Sequence, residues 1–271
     1  MPPFVGRESV DLGAYFRRID FTGRATPSRS CLEALHLAHA THIPFENLDI
    51  QLGLPISLDL QALEDKLVRR RRGGYCFEHN TLFAELLRRL GFRVQTLEAR
   101  VRFDAPRLLP RTHMALRVDF AEEAFLVDVG FGGEGLLGPV PWDGSVCHCF
   151  GQAYRLVPEG PRRVLQGQDA SGWQDFYALE PEPALPVDFL VANHYTSTHP
   201  ESRFVRILTA QLPTPGARHV LRDRSYTVRR GDRTVTTEVR DPEHLLRLLR
   251  EVFGLDFPPG TRFRIPAFPE A

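Results

Sequence analysis

The hydrophobic period of this chain changes near Gly91, and that change limits how its elements can be layered. Before it, apolar residues recur at helical spacing; after it, they alternate as in half-buried strands. Ser28-Arg29-Ser30 precedes a helix that places Leu32, Leu35 and His39 on one face. Ser57 or Asp59 can cap a second, carrying Leu58, Leu60, Leu63 and Leu67. A third starts near Cys76, carries Phe77, Leu82, Phe83, Leu86, Leu87 and Leu90, and stops at Gly91 with Arg88 and Arg89 in its last turn. From residue 93 the alternation runs through Leu97, Ala99, Val101 and Phe103, then Met114, Leu116 and Val118, then Ala124–Val129. Further strands are predicted at Ala153–Val157, Val164–Leu165 and Phe176–Leu179. A third section, from about residue 201, predicts strands at Phe204–Ala210, Ser225–Arg230 and Thr234–Val239. A helix follows with Pro242 in its first turn and Gly254 beyond its end. Helices segregated from strands in this way predict an α+β protein with sections 1–92, 93–200 and 201–271.

Charge and composition exclude several function classes. Lys+Arg and Asp+Glu are both 34, so no net field draws the chain to nucleic acid or to an anionic membrane. Lys66 is the only lysine, a bias read as compositional. Met1–Glu8 lacks the apolar run of a secretory signal, and no stretch approaches the roughly 18 apolar residues of a membrane span. Four irregularly spaced cysteines make no disulfide framework in a chain of 271 residues. The expectation is a cytoplasmic protein of no assigned oligomeric state. His36, His39 and His42 recur at helical spacing without a Cys or carboxylate to complete a zinc set. Cys147-His148-Cys149 reads as a variable loop, and Arg69–Arg72 as a helix end whose charge can steer a phosphate-rich ligand. No metal is expected.

The chemistry concentrates in Arg72-Gly73-Gly74-Tyr75-Cys76-Phe77-Glu78-His79-Asn80. A thiol in the first turn of a helix lies among unpaired N–H groups that favour an anion, and the thiolate is the nucleophile. His113 opens a strand and Asp128 closes one. If Val118 faces Glu123 across a loop of residues 119–122, His113 stands directly opposite Asp128, with Cβ atoms about 4.5–5.5 Å apart. A carboxylate there would hold one ring nitrogen of the imidazole and turn the other to Cys76. In its Val-rich run an unpaired Asp128 would be costly, so it requires a partner. Nucleophile, base and orienting carboxylate together point to covalent acyl transfer.

These segments resemble the arylamine N-acetyltransferase family. The resemblance extends to Tyr15-Phe16-Arg17-Arg18-Ile19, Ile43-Pro44-Phe45-Glu46-Asn47-Leu48-Asp49, Val127-Asp128-Val129-Gly130-Phe131-Gly132 and the stretch from Asn193 to Phe204, so it spans about residues 15 to 255. It implies a helical bundle, a β-barrel-like middle domain and an α/β lid around a Cys-His-Asp core like that of papain and transglutaminases. It also implies Cys76 as nucleophile, His113 as base and Asp128 as orienter. Acetyl-CoA would be the donor substrate, with no permanently bound cofactor, and arylamines, arylhydrazines or N-hydroxyarylamines the acceptors. Phe45, Phe131 and Phe204 would wall the substrate pocket. Arg72, Glu46 and Asn47 are expected to brace the nucleophile loop. Gly130, Gly132 and Gly133 would let the chain approach the donor's pyrophosphate. Rival readings keep the triad for macrolactam-forming amide synthesis or for a hydrolase or transglutaminase-like reaction, or reduce the protein to a CoA-binding module.

Overall fold

Side-chain caps set where the first helices begin in the computed structural model, which describes residues 10–105, 107–169, 171–265 and 268. Met1–Glu8, read above for a secretory signal, lies outside them. Asp11 caps α1 (Leu12–Arg18) and Ser28 caps α2 (Arg29–His42). After strand β1 (Phe45–Glu46) and the short α3 (Leu48–Gln51), Asp59 rather than Ser57 caps α4 (Leu60–Leu63). That turn runs directly into a π-helical stretch, Glu64–Arg69. The third predicted helix is α5 (Cys76–Arg89), released by Gly91 at φ +89°. Its Phe77, Leu82, Phe83, Leu86 and Leu87 pack with Leu32, Leu35 and Leu67 into the first core.

Strands β2 (Arg93–Val101), β3 (His113–Asp119), β4 (Ala124–Val127), β5 (Val140–Pro141), β6 (Cys147–Cys149), β7 (Gln152–Glu159), β8 (Arg162–Asp169) and β9 (Gly172–Pro183) form one antiparallel sheet. Its order is β5-β4-β3-β2-β9-β8-β7-β6, and it curls until β5 approaches β7, nearly closing a barrel. Alternation on β3 and β4 serves two cores. Met114, Leu116, Val118, Phe125 and Val127 pack against the helices, while Ala115 and Leu126 face the barrel interior with Tyr154, Leu165, Phe176 and Tyr177. Cys147-His148-Cys149, expected as a loop, is the edge strand β6, and its two thiols pack on the barrel core.

The β3–β4 register differs from the expected one. Val118 faces Phe125, not Glu123, and the hairpin closes through a 2.8 Å bond from Phe120 N–H to the Glu123 carbonyl. The cause is Phe120, whose ring stands edge-on to both Phe92 and Phe125, at 6.1 and 5.9 Å, and pulls its residue inside the turn. His113 and Asp128 become diagonal neighbours that still share one face.

Helix α6 (Pro186–Thr198), which the strand pattern did not foretell, packs Phe189 and Ala192 on the helical core. The predicted strand Phe204–Ala210 divides into a helical turn, α7 (Arg203–Arg206), and the start of β10 (Thr209–Thr214). Ser202 caps that turn, and the carbonyls of Phe204 and Ile207 are taken by Asn47 and Gln51 side chains instead of by a strand. Strands β11 (Ala217–Arg222), β12 (Ser225–Arg230) and β13 (Arg233–Glu238) complete a second sheet of order β1-β10-β11-β12-β13. One of its strands, β1, thus comes from the first 92 residues. Helix α8 (Pro242–Phe253), capped by Asp241 and ended by left-handed Gly254, covers this lid sheet with Leu245, Leu249 and Phe253. Among the described residues, no helix is long and apolar enough to cross a membrane.

Candidate active site

The Gly73-Gly74 entry to α5 is required by contact, not only by turn geometry. A Cβ on Gly73 would stand 2.0 Å from the Pro44 carbonyl oxygen. That close passage brings the chain beside β1, and Glu46 N–H donates to the Gly74 carbonyl at 2.7 Å. Tyr75 is the N-cap, and Cys76 the first helical residue. Glu78 completes a capping box by accepting the Tyr75 N–H at 3.0 Å.

Beneath this turn lies a buried charge network. Lys66 Nζ is 2.7 Å from both Glu78 and Asp49; Arg72 is 2.7 Å from Glu46 and 2.8 Å from Asp49. Glu46 also accepts the backbone N–H groups of Leu48 and Gly73 at 2.6 and 3.3 Å. Burial pushes the Glu78 carboxyl up to about 7, against the pull of Lys66. Arg72 and Glu46 therefore meet as expected, while Asn47 instead ties α7 and β10 to the helical part, through Phe204, Ile207 and Thr209.

Cys76 is buried, its Sγ 3.7 Å from the Thr112 carbonyl, and its side chain favours the charged form of the His113 ring. His113 Nε2 lies 2.7 Å from Asp128 Oδ2, which leaves Nδ1 for the sulfur. Both lone-pair sides of Asp128 are occupied. Oδ2 also accepts Tyr177 OH at 2.8 Å, and Oδ1 accepts Asn80 Nδ2 and Gly130 N–H, each at 2.9 Å. Burial works against charge on both members. Even so, the Asp128 carboxylate and the Cys76 contact hold the His113 imidazolium up to about 10, and His113 holds Asp128 below the usual carboxylate range. At neutral pH the ring is an imidazolium.

Two members of this arrangement escaped the sequence reading. Asn80 lies one turn beyond Cys76 on the same helix face, a spacing that could have found it. It also spans to Met114 O at 2.8 Å, and its Oδ1 accepts Val129 N–H at 3.2 Å. Tyr177, on β9, carried no local signal.

The three expected pocket aromatics separate into two clusters. Phe45 and Phe204 are 5.8 Å apart, and Phe204 stands edge-on to Tyr75 at 5.6 Å. Phe131 lies across the site, edge-on to His113 at 5.2 Å and stacked on Phe176 at 5.6 Å. Phe176 and Phe103 line a cleft of about 390 Å³ between the barrel and the lid, flanked by Arg218 and Arg229. The glycines expected at a pyrophosphate make their close approaches to protein atoms. A Cβ on Gly130 would stand 2.8 Å from Cys76 Cα and 2.9 Å from Asn80 Nδ2; on Gly132 and Gly133 it would meet the Gln211 side chain at 2.8 and 2.6 Å. Gly130→Ala should therefore push α5 from the Asp128 turn, lowering stability by about 1–3 kcal/mol and the turnover rate at least about tenfold. Urea unfolding with parallel rate measurements checks this, and an unperturbed variant would contradict the close contact.

The predicted histidine series divides likewise. His36 Nε2–H donates to the Leu136 carbonyl at 3.2 Å, and His42 lies at the surface. His39 and His79 form a buried chain: Tyr15 OH meets His39 Nδ1, His39 Nε2 lies 2.7 Å from His79 Nδ1, and His79 Nε2 lies 3.2 Å from Pro44 O. A carbonyl only accepts, so every proton in the chain points toward Pro44. Burial holds His79 neutral, at about 4, and His39 well below its ordinary value. The chain supports Phe45, which stacks on His79. The Arg69–Arg72 run ends the π-helical stretch, with Arg69 and Arg70 paired to Glu64 and Asp65.

Stability should follow the His113–Asp128 pair. His113 is raised from 6.5 to about 10, so its contribution is full below about 6.5 and lost as pH rises through about 10. Asp128 is lowered from 3.8, so its contribution is present above 3.8 and lost as pH falls through the depressed folded value. Melting temperatures across pH should show a plateau between about 4 and 6.5 with an alkaline decline toward 10. A decline centred near 6.5 would mean that the pair is absent.

The chain compares closely with known proteins. A profile of the N-acetyltransferase family matches residues 30–261. The arylamine N-acetyltransferase of Mycolicibacterium smegmatis is 40% identical over 255 residues, covering 92% of this chain and 93% of the relative. The arylamine N-acetyltransferase / N-hydroxyarylamine O-acetyltransferase of Salmonella typhimurium is 37% identical over 248 residues, covering 90% and 88%. The structure of the Mycobacterium marinum arylamine N-acetyltransferase in complex with CoA superposes with a TM-score of 0.85 at 38% identity, over 90% of this chain and 92% of that one. The chain belongs to the arylamine N-acetyltransferase family.

Proposed function

We propose that this protein transfers an acetyl group from acetyl-CoA to an arylamine, arylhydrazine or N-hydroxyarylamine through an acetyl-Cys76 intermediate. The observation that carries the reading is the buried His113–Asp128 pair, joined at 2.7 Å through Nε2, with Cys76 at the helix start bonded to the carbonyl of Thr112, the residue next to His113. The CoA bound by the M. marinum relative supports the donor, and the Salmonella relative's printed name supports both N- and O-acceptors. The same names favour small aromatic acceptors over macrolactam closure or transfer to protein lysines. Free thiols at Cys31, Cys76, Cys147 and Cys149 and a CoA thioester donor suit a cytoplasmic setting.

The Cys76 thiolate attacks the acetyl carbonyl, the C–S bond to the coenzyme breaks, and the His113 imidazolium gives its proton to the departing thiolate. The amine then attacks acetyl-Cys76. His113, now neutral, takes the amine proton, and collapse regenerates the thiolate–imidazolium pair. Cys76 N–H at the helix start is placed to stabilise the oxyanion. Phe45 and Phe204 on one side and Phe131 on the other keep water from the thioester. In this reading residues 1–92 supply the nucleophile, 93–200 the base and its orienter, and 201–271 the lid. Initial velocities with varied acetyl-CoA and anisidine test it: parallel double-reciprocal lines are expected, and intersecting lines would mean that both substrates must be bound before transfer.

A further inference from the structure

We infer that Asn80 is a positioning residue for the nucleophile: its side-chain amide fixes which oxygen of Asp128 receives the His113 ring, and so which ring nitrogen is turned to Cys76. The role rests on the acetyl-Cys76 reading above and concerns how the sulfur is kept ionised.

Asn80 is fully buried and lies one turn after Cys76 on the same face of α5. Its amide reaches both of the other segments that carry the relay. Nδ2 donates to Met114 O on β3 at 2.8 Å and to Asp128 Oδ1 at 2.9 Å, while Oδ1 accepts the Val129 N–H at 3.2 Å. Met114 directly follows His113, and Val129 directly follows Asp128. One amide therefore ties the helix of the sulfur to the strand of the base and to the turn of the carboxylate.

Its orientation is determined by these partners. Turned over, the amide would set Oδ1 against a carboxylate and a carbonyl, and Nδ2 against an N–H, losing all three bonds. The Asp128 turn also packs directly on it, since a Cβ on Gly130 would stand 2.9 Å from Asn80 Nδ2. The consequence falls on Asp128. Asn80 and the Gly130 N–H, each at 2.9 Å, fill Oδ1, so His113 Nε2 is received by Oδ2, at 2.7 Å. A ring held through Nε2 turns Nδ1 toward the thiol. Other side chains of this size would fill the space, but the amide donates to the carboxylate and to the Met114 carbonyl while accepting from Val129. An ionised aspartate keeps the shape and reverses the chemistry, because its oxygens only accept.

The test is the pH dependence of Cys76 alkylation by iodoacetamide, which needs neither donor nor acceptor substrate. The rate is followed by mass at Cys76 in wild type, Asn80→Ala and Asn80→Asp, with circular dichroism to establish that each is folded. Asn80→Asp keeps the volume and carries the test if Asn80→Ala does not fold. The wild-type rate should be nearly flat between about pH 6 and 9, because the thiolate is already formed beside the imidazolium. In the variants the rate at pH 7 should fall about tenfold and then climb with pH toward the ordinary thiol value of about 8.5. A folded variant that keeps the flat profile would overturn the positioning role, whatever it loses in melting temperature, since a merely structural residue leaves the ionisation of the sulfur unmoved. A wild-type Cys76 that itself titrates as an ordinary thiol is a different result and removes the parent reading instead.

Discussion

Cys76→Ala will reduce acetyl transfer by at least about a thousandfold while leaving a folded protein. The sulfur is the only atom in the site able to form the thioester, so nothing in the relay substitutes for it. Its loss costs little structurally. Cys76 is the first residue of α5, and among the described residues its side chain is hydrogen-bonded to the Thr112 carbonyl alone. The His113–Asp128 bond, the Tyr177 and Asn80 bonds to Asp128 and the Glu78 capping box all survive the change. Circular dichroism and a thermal melt should match wild type closely, so lost activity can be assigned to chemistry. Activity within tenfold of wild type in a folded variant would place the nucleophile elsewhere.

Lys66→Met will destabilise the protein by about 3–5 kcal/mol, the usual cost of leaving buried carboxylates without their cation. Lys66 is 6% exposed and lies 2.7 Å from both Asp49 and Glu78. Removing it leaves Glu46 and Asp49 sharing Arg72 and takes from Glu78 the cation it is paired with. Arginine is not an equivalent replacement. The ammonium meets two carboxylates from different elements at one point, whereas a planar fork of larger volume would overpack the site, costing about 1–3 kcal/mol. Since Glu78 also caps the nucleophile helix, activity should fall with stability. Urea denaturation of both variants reads the effect, and a loss below 1 kcal/mol for Lys66→Met would show that the network contributes little.

Lys66 also marks where the sequence was misread. A single lysine in an arginine-rich chain looked like compositional bias, yet it occupies a position where a compact ammonium fits. No local pattern could show this, because Asp49 and Glu78 are brought to it by folding. The helices were legible because their caps and stops, Ser28, Asp59, Gly91, Asp241 and Gly254, act within a few residues. The barrel strands were legible from alternation. Where side chains from distant segments satisfy the backbone, local reading failed: Asn47 and Gln51 turn Phe204 and Ile207 out of the expected strand. The β3–β4 register likewise depended on Phe120 finding Phe92 and Phe125, a contact that turn length alone does not specify. In the site, Cys76, His113 and Asp128 were each nameable, because residue type, breaker and strand position gave separate clues. Tyr177 was not, since its only link to the site is spatial.

The most direct test of the account is the mass of the intact protein after incubation with acetyl-CoA, with and without anisidine. One added acetyl group, mapped to Cys76 and discharged by the amine, is the predicted result. An unmodified protein, or an acetyl group on any other residue that the amine leaves in place, would contradict it.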